Sequence, residues 1–232
     1  MKIKVQKFSK TVNPFSGISF VNNIFNQVGM SHLIDNELGD RVELFGYQYS
    51  DIIRNLTNVF LCGGDCIEDI SGNLGKHLKS IPNNCVPSPD TLSRGIVELS
   101  TENTAYTSES GKSYDFNINK KLNLLNIKSL KLTKQLMEGE NYDFDYDNQI
   151  VANKKWDAKK TYKKNTGYCP GIATIGDKVV YVENRDGNAN VKFKQSQTLE
   201  RAYGVLSSEG IKVNRSRMDA GSYSKERSEE RR

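Results

Sequence analysis

Along roughly the first 135 residues, apolar side chains recur every three to four positions, the spacing that gathers them on one face of a helix. Val21, Ile24, Phe25 and Val28 form one such stripe, and Gly29 behind it supplies a C-terminal cap. A second stripe, Ile52, Ile53, Leu56 and Val59 or Phe60, predicts a helix over 49–62. Ser88-Pro89-Asp90 opens a third helix over 91–99, with Asp90 placed to cap its first amides. The Leu-, Ile- and Lys-rich stretch 115–137 predicts a fourth. Between the third and fourth, TENTAYTSESGKS is polar and reads as a linker with few anchors for a core.

After Gly139 the period changes from helical to two. Residues 142–151 alternate as a strand does, 167–174 and 178–183 make two more, and Ile175-Gly176-Asp177 is the turn between them. Residues 184–190 form a Gly- and Asn-rich loop. Residues 195–208 predict a helix with Leu199, Ala202, Tyr203 and Leu206 on one face, and 211–218 predict a fourth strand. Strand-strand-strand-helix-strand describes a meander followed by a crossover to a parallel neighbour. The expected fold is α+β or α/β: a helical N-terminal domain over 1–138, then the first part of a ribonuclease-H-like mixed sheet over 139–223, incomplete at its C-terminal end. The last nine residues, SKERSEERR, hold no apolar side chain and read as a charged, frayed tail over 224–232.

Composition narrows the function classes. Hydrophobic residues make up 36% of the 232 and charged residues 26%, which excludes wholesale disorder. There is no run of the ~20 apolar residues a membrane helix needs. MKIKVQKFSK leads into no apolar signal segment, so the expected location is cytoplasmic. Cys62-x3-Cys66 has the spacing of half a zinc site, but Cys85 and Cys169 do not make the other half and His32 and His77 lack local partners, so neither zinc nor a disulfide framework is expected. The net charge of +5 has one address: Lys154 to Lys164, KKWDAKKTYKK, carries six lysines and one aspartate, and the remainder balances to zero. Lys154, Lys155, Lys159, Lys160, Lys163 and Lys164 fall in pairs interleaved with Trp156 and Tyr162. Lysines neutralise phosphates and aromatics stack on unpaired bases, so the stretch is a candidate nucleic-acid contact, with Arg215 and Arg217 as further candidates. A solvated loop kept soluble by charge is the bland alternative.

Asp143, Asp145 and Asp147 alternate on the first predicted strand, so all three project from one face. Gathered like charges need either water or a cation. If the first and fourth strands are neighbours, Asp145 meets Asp219 at the end of the fourth. Carboxylates from adjacent strands suit a pair of hard divalent cations, which hold both the attacking and the leaving oxygen of a phosphoryl displacement.

These segments resemble those of the DDE-type insertion-sequence transposases, most nearly the thirteen-eighty group of bacterial insertion sequences. Asp145-Tyr146-Asp147-Asn148-Gln149-Ile150-Val151 looks like the family's D-x-D-[ST]-T-hydrophobic strand, with Asn148-Gln149 in place of the hydroxyl residues. Trp156 to Lys164 followed by Gly167-Tyr168-x-Pro170-Gly171 is similar to its basic stretch and G-Y-x-P turn. Glu183 to Asn188 resembles its next hairpin loop, and Arg217-Met218-Asp219-Ala220-Gly221-Ser222-Tyr223 its R-x-D segment. Gly46-Tyr47-x-Tyr49-Ser50-Asp51 and Pro87 to Thr91 also look like family segments. The resemblance implies Asp145 and Asp219 as catalytic metal ligands, Asp147 as an auxiliary one, and Mg²⁺ or Mn²⁺ as cofactor. It implies double-stranded DNA as partner, at the element's terminal repeats and at the target, in a bacterial cytoplasm. It also implies self-association or pairing with an intact transposase. The family's third acid, a glutamate on a later helix, has no counterpart, so the expectation is a truncated chain with little strand transfer of its own. A non-catalytic DNA-binding remnant that occupies element ends or inhibits an intact transposase stays open, as does a nuclease-like scaffold without a DNA role.

Overall fold

The computed structural model describes residues 13–41 and 46–218. The chain divides into two compact units, Met1–Leu99 and Ser100–Arg232. In the first, helices α1 (Gly17–Gln27), α2 (Met30–Leu38), α3 (Tyr49–Leu61), α4 (Gly75–Lys79) and α5 (Pro89–Glu98) surround a core of Ile18, Ile52, Val59, Ile70, Leu74, Leu78, Ile81 and Leu92. Two caps differ from expectation or extend it. Ser88, not Asp90, caps α5: its hydroxyl accepts from the Thr91 amide at 3.3 Å, and Pro89 takes the first helical turn where no amide is needed. At α3, Gln48 and Asp51 form a reciprocal capping box, and Ser50 donates to Asp35 of α2 at 2.7 Å. The stripe expected to face the core on α1 does not. Ile18 and Asn22 are buried, whereas Phe20, Val21 and Ile24 stand in solvent: the helix meets its neighbours along one edge of its apolar side, through Ile18, and leaves much of the rest open.

The second unit is a mixed α+β layer structure. Its elements are β1 (Asn103–Thr107), β2 (Ser113–Asn117), α6 (Lys120–Leu132), β3 (Asn141–Asn148), β4 (Val151–Ala152), β5 (Lys159–Lys160), β6 (Thr166–Tyr168), β7 (Gly171–Ile175), β8 (Lys178–Arg185), α7 (Gln195–Ser208) and β9 (Lys212–Met218). Six strands make one sheet in the order β1-β2-β8-β7-β3-β9, and β4-β6-β5 make a small second sheet. Strands β3, β7 and β8 form an antiparallel meander, and α7 carries the chain across to β9, which lies parallel to β3. Gly176 takes φ 61° in the two-residue turn between β7 and β8, where a side chain would be strained.

TENTAYTSESGKS is not a linker. It is the hairpin of β1 and β2, and it moves the start of the second compact unit to Ser100. The hairpin docks through Phe116, wholly buried against the Arg185 guanidinium at 4.3 Å and edge-on to Phe193. Only Phe116 and Asn117 pair with β8, so the rest of that edge needs other partners. Asn123 of α6 supplies them, accepting from the Val182 amide at 2.8 Å and donating to its carbonyl at 2.9 Å, and Asn126 donates to the Val179 carbonyl at 2.7 Å. The core lies between the sheet and the helices: Phe144 and Tyr146 of β3, Ala173 and Ile175 of β7, Val180 and Tyr181 of β8, under Ile127 of α6 and Leu199, Ala202 and Leu206 of α7. No helix among the described residues is long and apolar enough to cross a membrane.

If the hairpin belongs to the sheet unit, Phe116→Ala should destabilise that unit by about 3–5 kcal/mol, the usual loss for emptying a buried phenylalanine site. Urea unfolding of the variant checks this. A shift below about 0.5 kcal/mol, normal for an exposed linker residue, would return the segment to the linker reading.

Candidate functional site

Strand β3 is central in its part of the sheet, between β7 and β9, so its two faces have opposite surroundings. Phe144 and Tyr146 are buried on the helix side, and the intervening Asp143, Asp145 and Asp147 project from the other, with Asp147 the most exposed. The parallel register with β9 sets Asp143 opposite Arg215 and Asp145 opposite Arg217. Arg217 grips Asp145 with both prongs: Nε donates to Oδ1 and Nη2 to Oδ2, each at 2.7 Å. Arg215 donates to Asp143 in the same way from one nitrogen. The hydrogen bonds from Arg217, aided by its charge, hold the Asp145 carboxyl below the ordinary aspartate range, and burial opposes them only in part. Asp219 lies outside the described residues; Met218 before it is in register with Tyr146.

The basic stretch is carried on the small sheet. Lys154, Lys155 and Trp156 sit on the loop after β4, Lys159 and Lys160 constitute β5, and Tyr162, Lys163 and Lys164 make the turn into β6. All six lysines are exposed; Trp156 is 97% exposed and Tyr162 73%. The loop beneath them is firmly tied. The Asn153 side chain accepts from the Lys155 amide at 2.8 Å, Ala158 donates to the Lys155 carbonyl at 3.1 Å, and Tyr168 donates to Asp157 at 2.7 Å. Burial, and after it the Asp157 acceptor, push the Tyr168 hydroxyl up to about 12, so it stays a donor. Thr161 is buried and bonds Asn165 through both backbone and side chain. The chain therefore presents exposed aromatics and lysines on a rigid mount.

Acids and bases meet in one open cleft of about 820 Å³, lined by Asp145, Asp147, Tyr162, Lys163 and Arg217. Lys154, Lys155, Trp156, Lys159, Lys160 and Lys164 are not part of its lining, nor are Asp143 and Arg215. Gln149 and Ile150, from the D-x-D-like segment, also line it, as do Ile172, Thr174 and Val191, which no sequence motif marks. Val191 is placed from beneath. The buried Arg185 donates to the carbonyls of Asn190, at 3.1 Å, Val191, at 3.3 Å, and Phe193, fixing the loop that ends at the cleft. Glu183, from the loop-like motif, is on a strand and wholly buried. It accepts from Tyr181 at 2.9 Å, Thr198 at 2.8 Å and Arg201 at 2.9 and 2.8 Å, which leaves it no capacity for chemistry. Asp186 accepts from the Asp115 amide at 3.0 Å, with burial raising its pKa, and is likewise structural.

Hard carboxylate oxygens at Asp145 and Asp147 suit a divalent cation such as Mg²⁺, which takes one or two protein carboxylates and completes its shell with water and substrate oxygens. Among the described residues no group of three His, Cys, Asp or Glu side chains could hold a metal, so a closed structural centre does not fit them. Comparisons of the chain with protein-family models, with curated proteins and with solved structures return no match.

Asp145 should remain ionised to lower pH than a free aspartate. Its ion pair therefore contributes stability above the ordinary aspartate pKa and loses it as pH falls through the depressed folded value. In Arg217→Gln the Asp145 midpoint should move up toward the ordinary value, read from the carboxyl carbon in an NMR titration. An unmoved midpoint would remove Arg217 as the cause.

Proposed function

We propose that this chain is a DNA-binding protein of the DDE transposase lineage with a ribonuclease-H-like sheet, whose cleft receives a phosphodiester of an element's terminal repeat. The observation that carries the reading is the meeting of Asp145 and Asp147 with Tyr162 and Lys163 in one cleft. The sheet supports it: three antiparallel strands, then a helix, then a strand parallel to the first, with the acid-bearing strand flanked by the last.

The exposed lysines neutralise backbone phosphates and release their counterions, which gives affinity without base specificity. Lys163 at the cleft wall draws one phosphate toward Asp145 and Asp147, and Tyr162 offers a flat face to the adjoining sugar or base. Asp145 and Asp147 are the residues that would hold Mg²⁺ or Mn²⁺. Held by these two carboxylates, such an ion would supply water activation for hydrolysis and charge stabilisation on the departing oxygen. Tyr146, packed beneath, keeps both carboxylates aimed outward. Double-stranded DNA, at element ends and target sites, is the partner this chemistry suits, with a second copy or an intact transposase as protein partner. A second reading, DNA occupation without cleavage, is favoured by one observation: Arg217 already engages both oxygens of Asp145.

Replacing Lys159, Lys160 and Lys163 together by alanine should weaken duplex binding and flatten the dependence of log affinity on log salt by about 0.9 for each phosphate no longer neutralised. Fluorescence anisotropy at several salt concentrations checks this, and an unchanged slope would take the basic stretch out of the interface. Asp145→Ala separates the two readings. It should abolish metal-dependent cleavage of terminal-repeat DNA without weakening binding; if the parent chain binds but never cleaves, the occupying role stands.

A further inference from the structure

We propose that Arg217 is a phosphate ligand held in reserve by Asp145, so that whatever engages the Asp145 carboxylate delivers Arg217 to the DNA backbone. The inference rests on the DNA-binding reading above and deepens it.

Two acid–base rungs run along the open face of β3 and β9, because a parallel register sets side chains of one face level with each other: Asp143 with Arg215, and Asp145 with Arg217. Only the second rung belongs to the cleft. Arg217 and Asp145 line it together with Lys163 and Tyr162, whereas Arg215 borders a separate depression along β9 with Tyr203 and Asn141.

The Asp145–Arg217 pair is well formed yet easily exchanged. Its two 2.7 Å bonds have the fork-to-carboxylate geometry, which a guanidinium makes equally well with phosphate. The Arg217 side chain is 59% exposed and that of Asp145 34%, so water screens the pair and its net stabilisation is small. Trading one oxyanion for another therefore costs little. The electrostatics of the cleft favour the trade. A phosphate drawn in by Lys163 arrives beside the Asp145 carboxylate and is repelled by it, while Arg217 stays neutralised where it is. Once the carboxylate is otherwise engaged, the repulsion falls and a second cation becomes available to the same phosphate. Engagement of Asp145 and binding of DNA are then coupled through one side chain, and coupling of this kind acts equally in both directions.

A double-mutant cycle read as duplex-DNA affinity by anisotropy, in EDTA at fixed salt, tests this. Asp145→Asn keeps the shape of the side chain and releases Arg217, and affinity should rise roughly fivefold, the lower end of couplings between linked sites. In the Arg217→Gln background the same Asp145→Asn change should give little gain. Asp143→Asn, which removes an equal charge outside the cleft, should give a smaller gain than Asp145→Asn. Equal gains with and without Arg217, or equal gains from Asp143→Asn and Asp145→Asn, would reduce the effect to plain loss of negative charge and overturn the proposal. So would an unchanged affinity of Asp145→Asn where the parent chain binds DNA. Failure of the parent chain to bind duplex DNA would instead overturn the DNA-binding reading itself. Retention of the parent's circular dichroism and urea midpoint by each variant assigns the changes to the interface.

Discussion

Phe144 and Tyr146 leave solvent on one face of β3, under Leu199, Ala202 and Leu206 of α7, and the placement of every other group in the cleft depends on that burial. Phe144 also meets the Tyr203 ring at a centroid distance of 5.0 Å. Phe144 contributes about 1.5–3 kcal/mol by leaving water. Because strand side chains alternate, burying these two obliges Asp143, Asp145 and Asp147 to face outward. A slip of one residue would turn three carboxylates into the core and two aromatics into water, so the register is strongly enforced. The floor is closely fitted as well: a methyl group added at Gly171 would collide with the Tyr146 hydroxyl oxygen.

Three like charges on one face repel, and the fold answers with basic neighbours instead of burial. The crossover through α7 makes β9 parallel to β3, and that choice sets Arg215 and Arg217 beside the acids. The small sheet then turns a basic segment back so that Lys163 and Tyr162 share the cleft with Asp145 and Asp147. The site is thus a balance of opposite charges in water, where Coulomb energies are modest and exchangeable.

Several features were legible from residues alone. The bounds of α7 follow from Leu199, Ala202 and Leu206, all buried as the spacing required. The meander, its Gly176 turn and the last strand were readable because alternation and turn residues are local signals. The hairpin of β1 and β2 was not: Tyr106, Tyr114 and Phe116 are its few large apolar side chains, and Tyr114 and Phe116 are anchored on Arg185 and Phe193, some seventy residues away. The α1 stripe failed because spacing shows which side of a helix is apolar but not how much of that side its neighbours cover: Ile18 is buried and Ile24 is not.

By itself, the sequence determined which residues alternate, where charge accumulates and which face of most elements is apolar, because those properties depend on neighbours within a few positions. It also determined that the acids of β3 share a face and that the lysines of 154–164 form one basic run. Tertiary structure alone decided that Arg217 takes both oxygens of Asp145, that Lys163 and Tyr162 reach the cleft while Trp156 stands apart, and that Glu183 is consumed by Tyr181, Thr198 and Arg201. Most of these are contacts between segments well separated along the chain. Their partners are chosen by sheet order and register, which emerge only when the whole hydrophobic core closes.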